Sequence, residues 1–176
     1  MELIADKQAR AASVKAIMAF RFLSDAETAD LLGVAELATY EEGEPVVEEG
    51  EISPHFFGIL EGTVGVTVRE PEGGQVYVNS LGAGDMFGEA GIFTSVPRTA
   101  TVSALAPATI LRLHRRELAA FLERHPAAGN KILLVIIYGL LRKLKLVNRE
   151  LAYERKSDMR QEDVDAMVES LFGEKG

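Results

Sequence analysis

The sequence predicts a mainly β fold, a jelly-roll-like double-stranded barrel of short strands with helices on either side of it. Three observations carry that expectation. Between Leu37 and Leu113, short apolar runs are separated by Glu-Gly, Gly-Glu and Gly-Gly punctuation, the pattern of many short strands at close spacing. Before Leu37 and after His114 the apolar period becomes that of amphipathic helices. A chain of 176 residues, 47% apolar and 26% charged, suits one globular domain with extensions.

Within Ala11 to Arg21, Val14, Ile17 and Met18 stand at helical spacing, which predicts a short amphipathic helix. Ser24 and Glu27 have capping-box spacing and introduce a second helix through Leu31 and Leu32, with Gly33 near its end. Strands are expected at Leu37 to Tyr40, Pro45 to Glu48, Phe56 to Leu60, Thr63 to Arg69, Gln75 to Ser80, Thr99 to Leu105 and Thr109 to Leu113. In the fourth, Val64, Val66 and Val68 alternate with Thr63, Gly65 and Thr67, as in a half-buried strand. From His114, Leu118, Phe121 and Leu122 share a helical face, and Pro126 marks the break before a longer helix. There Leu133, Ile137, Leu140, Leu144, Val147 and Leu151 follow heptad spacing, which implies a helical partner, in this chain or in a second copy. Val164, Met167, Val168, Leu171 and Phe172 share the face of a last short helix. The chain thus divides into an N-terminal helical segment (1–36), a β-roll (37–113), C-terminal helices (114–155) and an acidic tail with a short amphipathic helix (156–176).

Composition narrows the function classes. A formal net charge of -8 argues against a nucleic-acid backbone as main partner, since that affinity comes from Lys and Arg on phosphates. The chain has no cysteine, so disulfides, thiolate zinc sites and cysteine nucleophiles are excluded. Met1 to Arg10 lacks the apolar run of a signal peptide, and the longest apolar run, Ile132 to Ile137, is far short of a membrane span. A cytoplasmic location is expected. His55, His114 and His125 have no metal-pair spacing, and Ser53, Ser80, Ser95 and Ser103 no nucleophile context, so no enzyme and no metal are expected.

The informative segment is Gly84 to Val102, GDMFGEAGIFTSVPRTATV. Gly88 permits close backbone approach, and a short helix opening at Glu89 would aim N–H groups inward, a setting that favours an anion. Arg98, nine residues on, can complete a phosphate clamp with two N–H donors, and Glu89 suits the hydroxyls of an attached sugar. The alternative for the pair is a structural ion pair at a barrel turn.

With FGE at Phe87 to Glu89 and PRTATV at Pro97 to Val102, the segment resembles the phosphate-binding cassette of the cyclic-nucleotide-binding domain family. YEEGEPVVEEGE, Tyr40 to Glu51, also resembles the family's early strands, and the similarity runs from about Phe20 to Leu151. The resemblance implies a β-roll with a short cassette helix and a non-enzymatic sensor of cAMP or cGMP. It implies that Glu89 bonds the ribose 2'-hydroxyl, that Arg98 pairs with the cyclic phosphate and that Gly88 lines the ribose side. It further implies that N–H groups of Gly91 and Thr99 reach phosphate oxygens, with Ala90 and Ala100 completing the set and Leu81 touching the base. Gly91 departs from the alanine common in eukaryotic members. Thr99 bears on the choice between cAMP and cGMP, and Arg142, Lys145 or Asn148 on capping the base.

The same resemblance implies a homodimer through the C-terminal helix and output to a protein effector. The alternative is a ligand-independent scaffold or dimerisation module with a degenerate nucleotide site.

Overall fold

The computed structural model describes residues 1–4 and 10–172, without the side chains of Glu150 and of 153–172. β1 (Glu2–Leu3) is a two-residue strand too short for any period to mark. α1 (Ala11–Ala16) buries Val14, but the helix expected as far as Arg21 stops at Ile17, which is extended, and a 3-10 turn over Met18–Phe20 follows. The cause is tertiary. The Met18 N–H donates to the Gly84 carbonyl at 3.0 Å instead of continuing a helical ladder. Ile17 packs on Gly58 so closely that a Cβ there would stand 2.4 Å from its Cδ1.

α2 (Asp25–Val34) begins with the expected capping box. The Ser24 hydroxyl accepts from the Glu27 N–H at 3.3 Å, and the Glu27 carboxylate accepts from the Ser24 N–H at 2.7 Å. The bond to the Ser24 main chain, and then that to its side chain, hold the Glu27 carboxyl below its ordinary pKa.

β2 (Glu36–Tyr40), β3 (Pro45–Val47), β4 (His55–Glu61), β5 (Thr63–Arg69) and β6 (Gln75–Gly82) come next. After them stand β7 (Met86–Phe87), α3 (Ala90–Phe93), β8 (Thr101–Ala104) and β9 (Ala108–His114). Each strand expected from the sequence is present, with ends moved by one or two residues. The strands pair antiparallel into a five-stranded sheet, β1-β2-β9-β4-β7, and a four-stranded sheet, β3-β8-β5-β6. Among the described residues no strand pair joins the two, so the architecture is an open β-roll of facing sheets and not a closed barrel.

Period-2 alternation assigns the two faces of the first sheet. Ala38, Tyr40, Phe57, Ile59, Phe87, Ala108 and Ile110 point inward to meet Val47, Val64, Val102 and Ala104 of the second sheet. Leu37, Phe56, Leu111 and Leu113 point outward and pack with Val14, Ile17, Phe20, Leu31 and Leu32. α4 (Arg115–Arg124) adds Leu118 and Phe121 to this outer core.

α5 (Pro126–Phe172) is one helix of 47 residues and runs without a break through the boundary drawn at 155/156. Ala128, Ile132 and Ile136 anchor its start in the outer core of a compact unit ending at Ile136. Residues from Ile137 onward form a second unit, in which Ile137, Leu140, Leu144, Val147 and Leu151 are exposed. The side chains of the apolar face read from Val164 to Phe172 are outside those described, and its residues belong to α5. No described helix is long and apolar enough to cross a membrane.

Ser24→Ala should lower unfolding free energy by about 1 kcal/mol, read as a shifted urea midpoint. The pH dependence follows from Glu27, whose folded pKa lies below the unfolded one. Its stabilisation is therefore present above the ordinary carboxylate range and lost as pH falls through the lowered value. The stability gap between wild type and Glu27→Gln should be full at neutral pH and close in acid; a gap independent of pH would refute this.

Candidate binding site

The segment between β7 and β8 sits at one edge of the first sheet, where Phe57 pairs with Phe87. The Phe57 and Phe87 rings stack at 4.8 Å between centroids, and the chain then turns through Gly88 at φ 76°, a left-handed conformation that costs glycine little. The turn leads into α3, with Glu89 at its N-cap position and buried to 5% exposure.

Arg98 returns to the same place from the other side of the loop. Its Nη1 donates to the Gly88 carbonyl at 3.1 Å, and its Nη2 to the carbonyls of Ser53 at 2.9 Å and His55 at 2.6 Å. The guanidinium lies over the Phe57 ring, 5.6 Å from its centroid. The main chain is equally fixed: Arg98 N–H donates to the Glu51 carbonyl, and the Arg98 carbonyl accepts from Gly50 N–H, both at 2.8 Å. The Arg98 Nε–H is buried and has no partner. Burial pulls the guanidinium pKa below its ordinary value, while Glu51 and Glu89 oppose that pull. Neutral carbonyls supply the hydrogen bonds that orient this cation, and the carboxylates of Glu51 and Glu89 act on it electrostatically.

The structure thus brings Gly88, Glu89, Gly91 and Arg98 together. Ala90 is exposed in the first turn of α3, Thr99 is exposed, and Ala100 is partly buried beside the start of β8. Leu81 belongs to β6 and packs on the edge of the inter-sheet core. The Gly91 N–H, expected to reach a phosphate, donates to the Gly88 carbonyl at 3.1 Å here. The carbonyls of Ser53 and His55 and the ring of Phe57 were not anticipated. Main-chain acceptors leave no mark in a sequence, since any residue supplies them.

Residues 37–125, half of the chain, match the family described as "Cyclic nucleotide-binding domain". The chain belongs to the cyclic nucleotide-binding domain family.

A cAMP-dependent protein kinase regulatory subunit of Mycosarcoma maydis is 39% identical over 53% of this chain and 18% of its own length. A cGMP-dependent protein kinase of Eimeria tenella is 34% identical over 58% of this chain and 10% of its own. The chain therefore spans a small part of these relatives. A solved cyclic nucleotide-binding domain from Methylobacillus flagellatus has the same fold, with a TM-score of 0.74 at 23% identity over 81% of this chain and 83% of that one. As a cyclic nucleotide-binding domain, the chain carries the family's fold, and the Gly88 to Arg98 segment lies between β7 and β8.

Gly91 has a steric reason in this chain. A Cβ there would stand 2.7 Å from the Ser53 carbonyl oxygen and 2.9 and 3.0 Å from the Arg98 Nη atoms. Gly91→Ala should cost about 1 to 3 kcal/mol by overpacking and lower the thermal midpoint. An unchanged midpoint would mean that the contact between Arg98 and the Ser53 carbonyl yields freely.

Proposed function

We propose that the chain is a non-enzymatic sensor of cAMP or cGMP. The observation that carries this reading is the part-buried Arg98, held by carbonyls with its buried Nε–H unpartnered, beside the buried Glu89. A cyclic phosphate supplies the acceptor that Nε–H lacks, and the Glu89 carboxylate accepts from the ribose 2'-hydroxyl. Leu81 meets the base. The kinase relatives are named for cAMP and for cGMP, so both nucleotides are retained, with Thr99 placed to bear on the choice.

No bond is made or broken in this function. The nucleotide favours one arrangement of the C-terminal helices over another, by a coupling of about 1 to 3 kcal/mol in typical switches. That arrangement is read by a protein effector in the cytoplasm. The exposed seam of Ile137, Leu140, Leu144, Val147 and Leu151 pairs with the same seam of a second copy.

Isothermal titration with cAMP and cGMP, on protein freed of copurifying nucleotide, should show saturable binding of at least one. No heat and no thermal stabilisation with either would overturn the sensor. Arg98→Lys keeps the charge but loses the planar fork, and should weaken binding roughly ten- to a hundredfold. In sedimentation, Leu144→Glu should convert a dimer to a monomer; a wild-type monomer at micromolar concentration would end the seam proposal.

A further inference from the structure

At the end of the first sheet where β2 and β4 begin and β9 finishes, its inner face changes from apolar to polar. The alternation that sends Ala38, Phe57 and Ile110 into the core also puts Glu36, His55, Arg112 and His114 on that face, in register as the pairs Glu36–Arg112, Phe57–Arg112 and His55–His114. Together with Gly33 and Val34 at the end of α2 and Glu117 in α4, these four line a cleft of about 470 Å³. None of its lining residues belongs to the cassette.

The cleft sets one guanidinium and two imidazoles against two carboxylates, Glu36 and Glu117, both on exposed residues at its rim. The Arg112 side chain is 20% exposed, and its Nη1 donates to the Met1 thioether, a weak acceptor, at 2.9 Å. Its nearest carboxylate, Glu36, is 3.7 Å away, beyond hydrogen-bond reach, and its Nε–H is buried without a partner. His114 Nδ1 accepts from the Arg116 N–H at 3.1 Å, so the neutral ring carries its proton on Nε2 and keeps that N–H as a donor. The His55 ring lies 5.2 Å from the His114 ring, and its Nδ1 meets the Ser53 hydroxyl at 3.3 Å. Burial depresses the His55 pKa, Arg112, His114 and Arg98 depress it further, and Glu36 works the other way. Glu36 and Glu117 are exposed and keep their hydration. Imidazoles and carboxylates form no group able to hold a metal ion among the described residues.

We propose that this cleft is a second binding site, separate from the cassette, for a small oxyanion: the phosphate or carboxylate group of a metabolite. Its oxygens accept from the Arg112 guanidinium and from an N–H of each imidazole. Arg112 is the anchor, because its planar fork matches a carboxylate or phosphate edge.

The test follows the imidazole resonances of His55 and His114 by NMR across about pH 5 to 8, where histidines titrate. Inorganic phosphate is titrated in one arm and acetate in the other, against chloride at constant ionic strength. At least one anion should shift both rings saturably and raise the His55 pKa by on the order of one unit. Phosphate alone would assign a phosphoryl ligand, and acetate alone a carboxylate. Arg112→Gln should abolish the saturable shift. Glu36→Gln, at an exposed position that leaves the core intact, should tighten binding roughly two- to fivefold by removing a rim charge. No saturable shift with either anion would overturn the proposal, as would a shift unchanged in Arg112→Gln. The readout needs no cyclic nucleotide, so it stands or falls apart from the sensor function.

Discussion

The guanidinium of Arg98 is held by three main-chain carbonyls, and the ligand side of the roll is organised around that constraint. A cation removed from water must be hydrogen-bonded, or the desolvation cost of its unmade bonds is felt in full. Carbonyls meet that need from two segments far apart in sequence, Ser53 and His55 at the start of β4 and Gly88 after β7, and so tie the start of β4 to both ends of the loop between β7 and β8. A carboxylate in the same role would have paired directly with the arginine. Carbonyl support leaves the charge in place in a medium where Coulomb attraction is stronger than in water.

The glycines of the cassette follow from the same constraint. Gly88 must present its carbonyl to Arg98 while the chain turns at φ 76°, and a Cβ there would stand 2.9 Å from Nη1 and 3.0 Å from the His55 carbonyl oxygen. Gly91 admits the Ser53 carbonyl and the guanidinium into space that a methyl group would fill. Two glycines three residues apart thus have different reasons, one conformational and steric, the other steric alone.

How much of this the sequence revealed depends on which atoms do the work. Strand β5 is legible because Val64, Val66 and Val68 alternate with smaller or polar residues, and its bounds agree with the structure. β1 and β7 have two residues each, too few to show a period. The length of α5 escaped because residues 154–163 are polar apart from Met159 and separate two apolar faces. A helix needs no continuous apolar face when neither glycine nor proline interrupts it, and none occurs between 140 and 172. α1 failed in the opposite way, since its pattern continued but the Met18 N–H went to Gly84. In the site, Glu89 and Arg98 could be found because their side chains carry the chemistry. The supports of Arg98 could not, because they are carbonyls.

That distinction between side chain and main chain gives His55 two independent attachments. Its carbonyl belongs to the Arg98 support and would be supplied by any residue at that position. Its imidazole is released from that task and lies in the neighbouring cleft beside Arg112 and His114. If position 55 served only the cassette, the inward slot of β4 next to Phe57 would be filled more cheaply by an aliphatic side chain, as Ile59 fills the next one. A partly buried imidazole, its pKa depressed first by burial and then by Arg112 and His114, is costly in that slot. A change of the His55 side chain therefore alters the cleft while leaving the carbonyl that steadies Arg98.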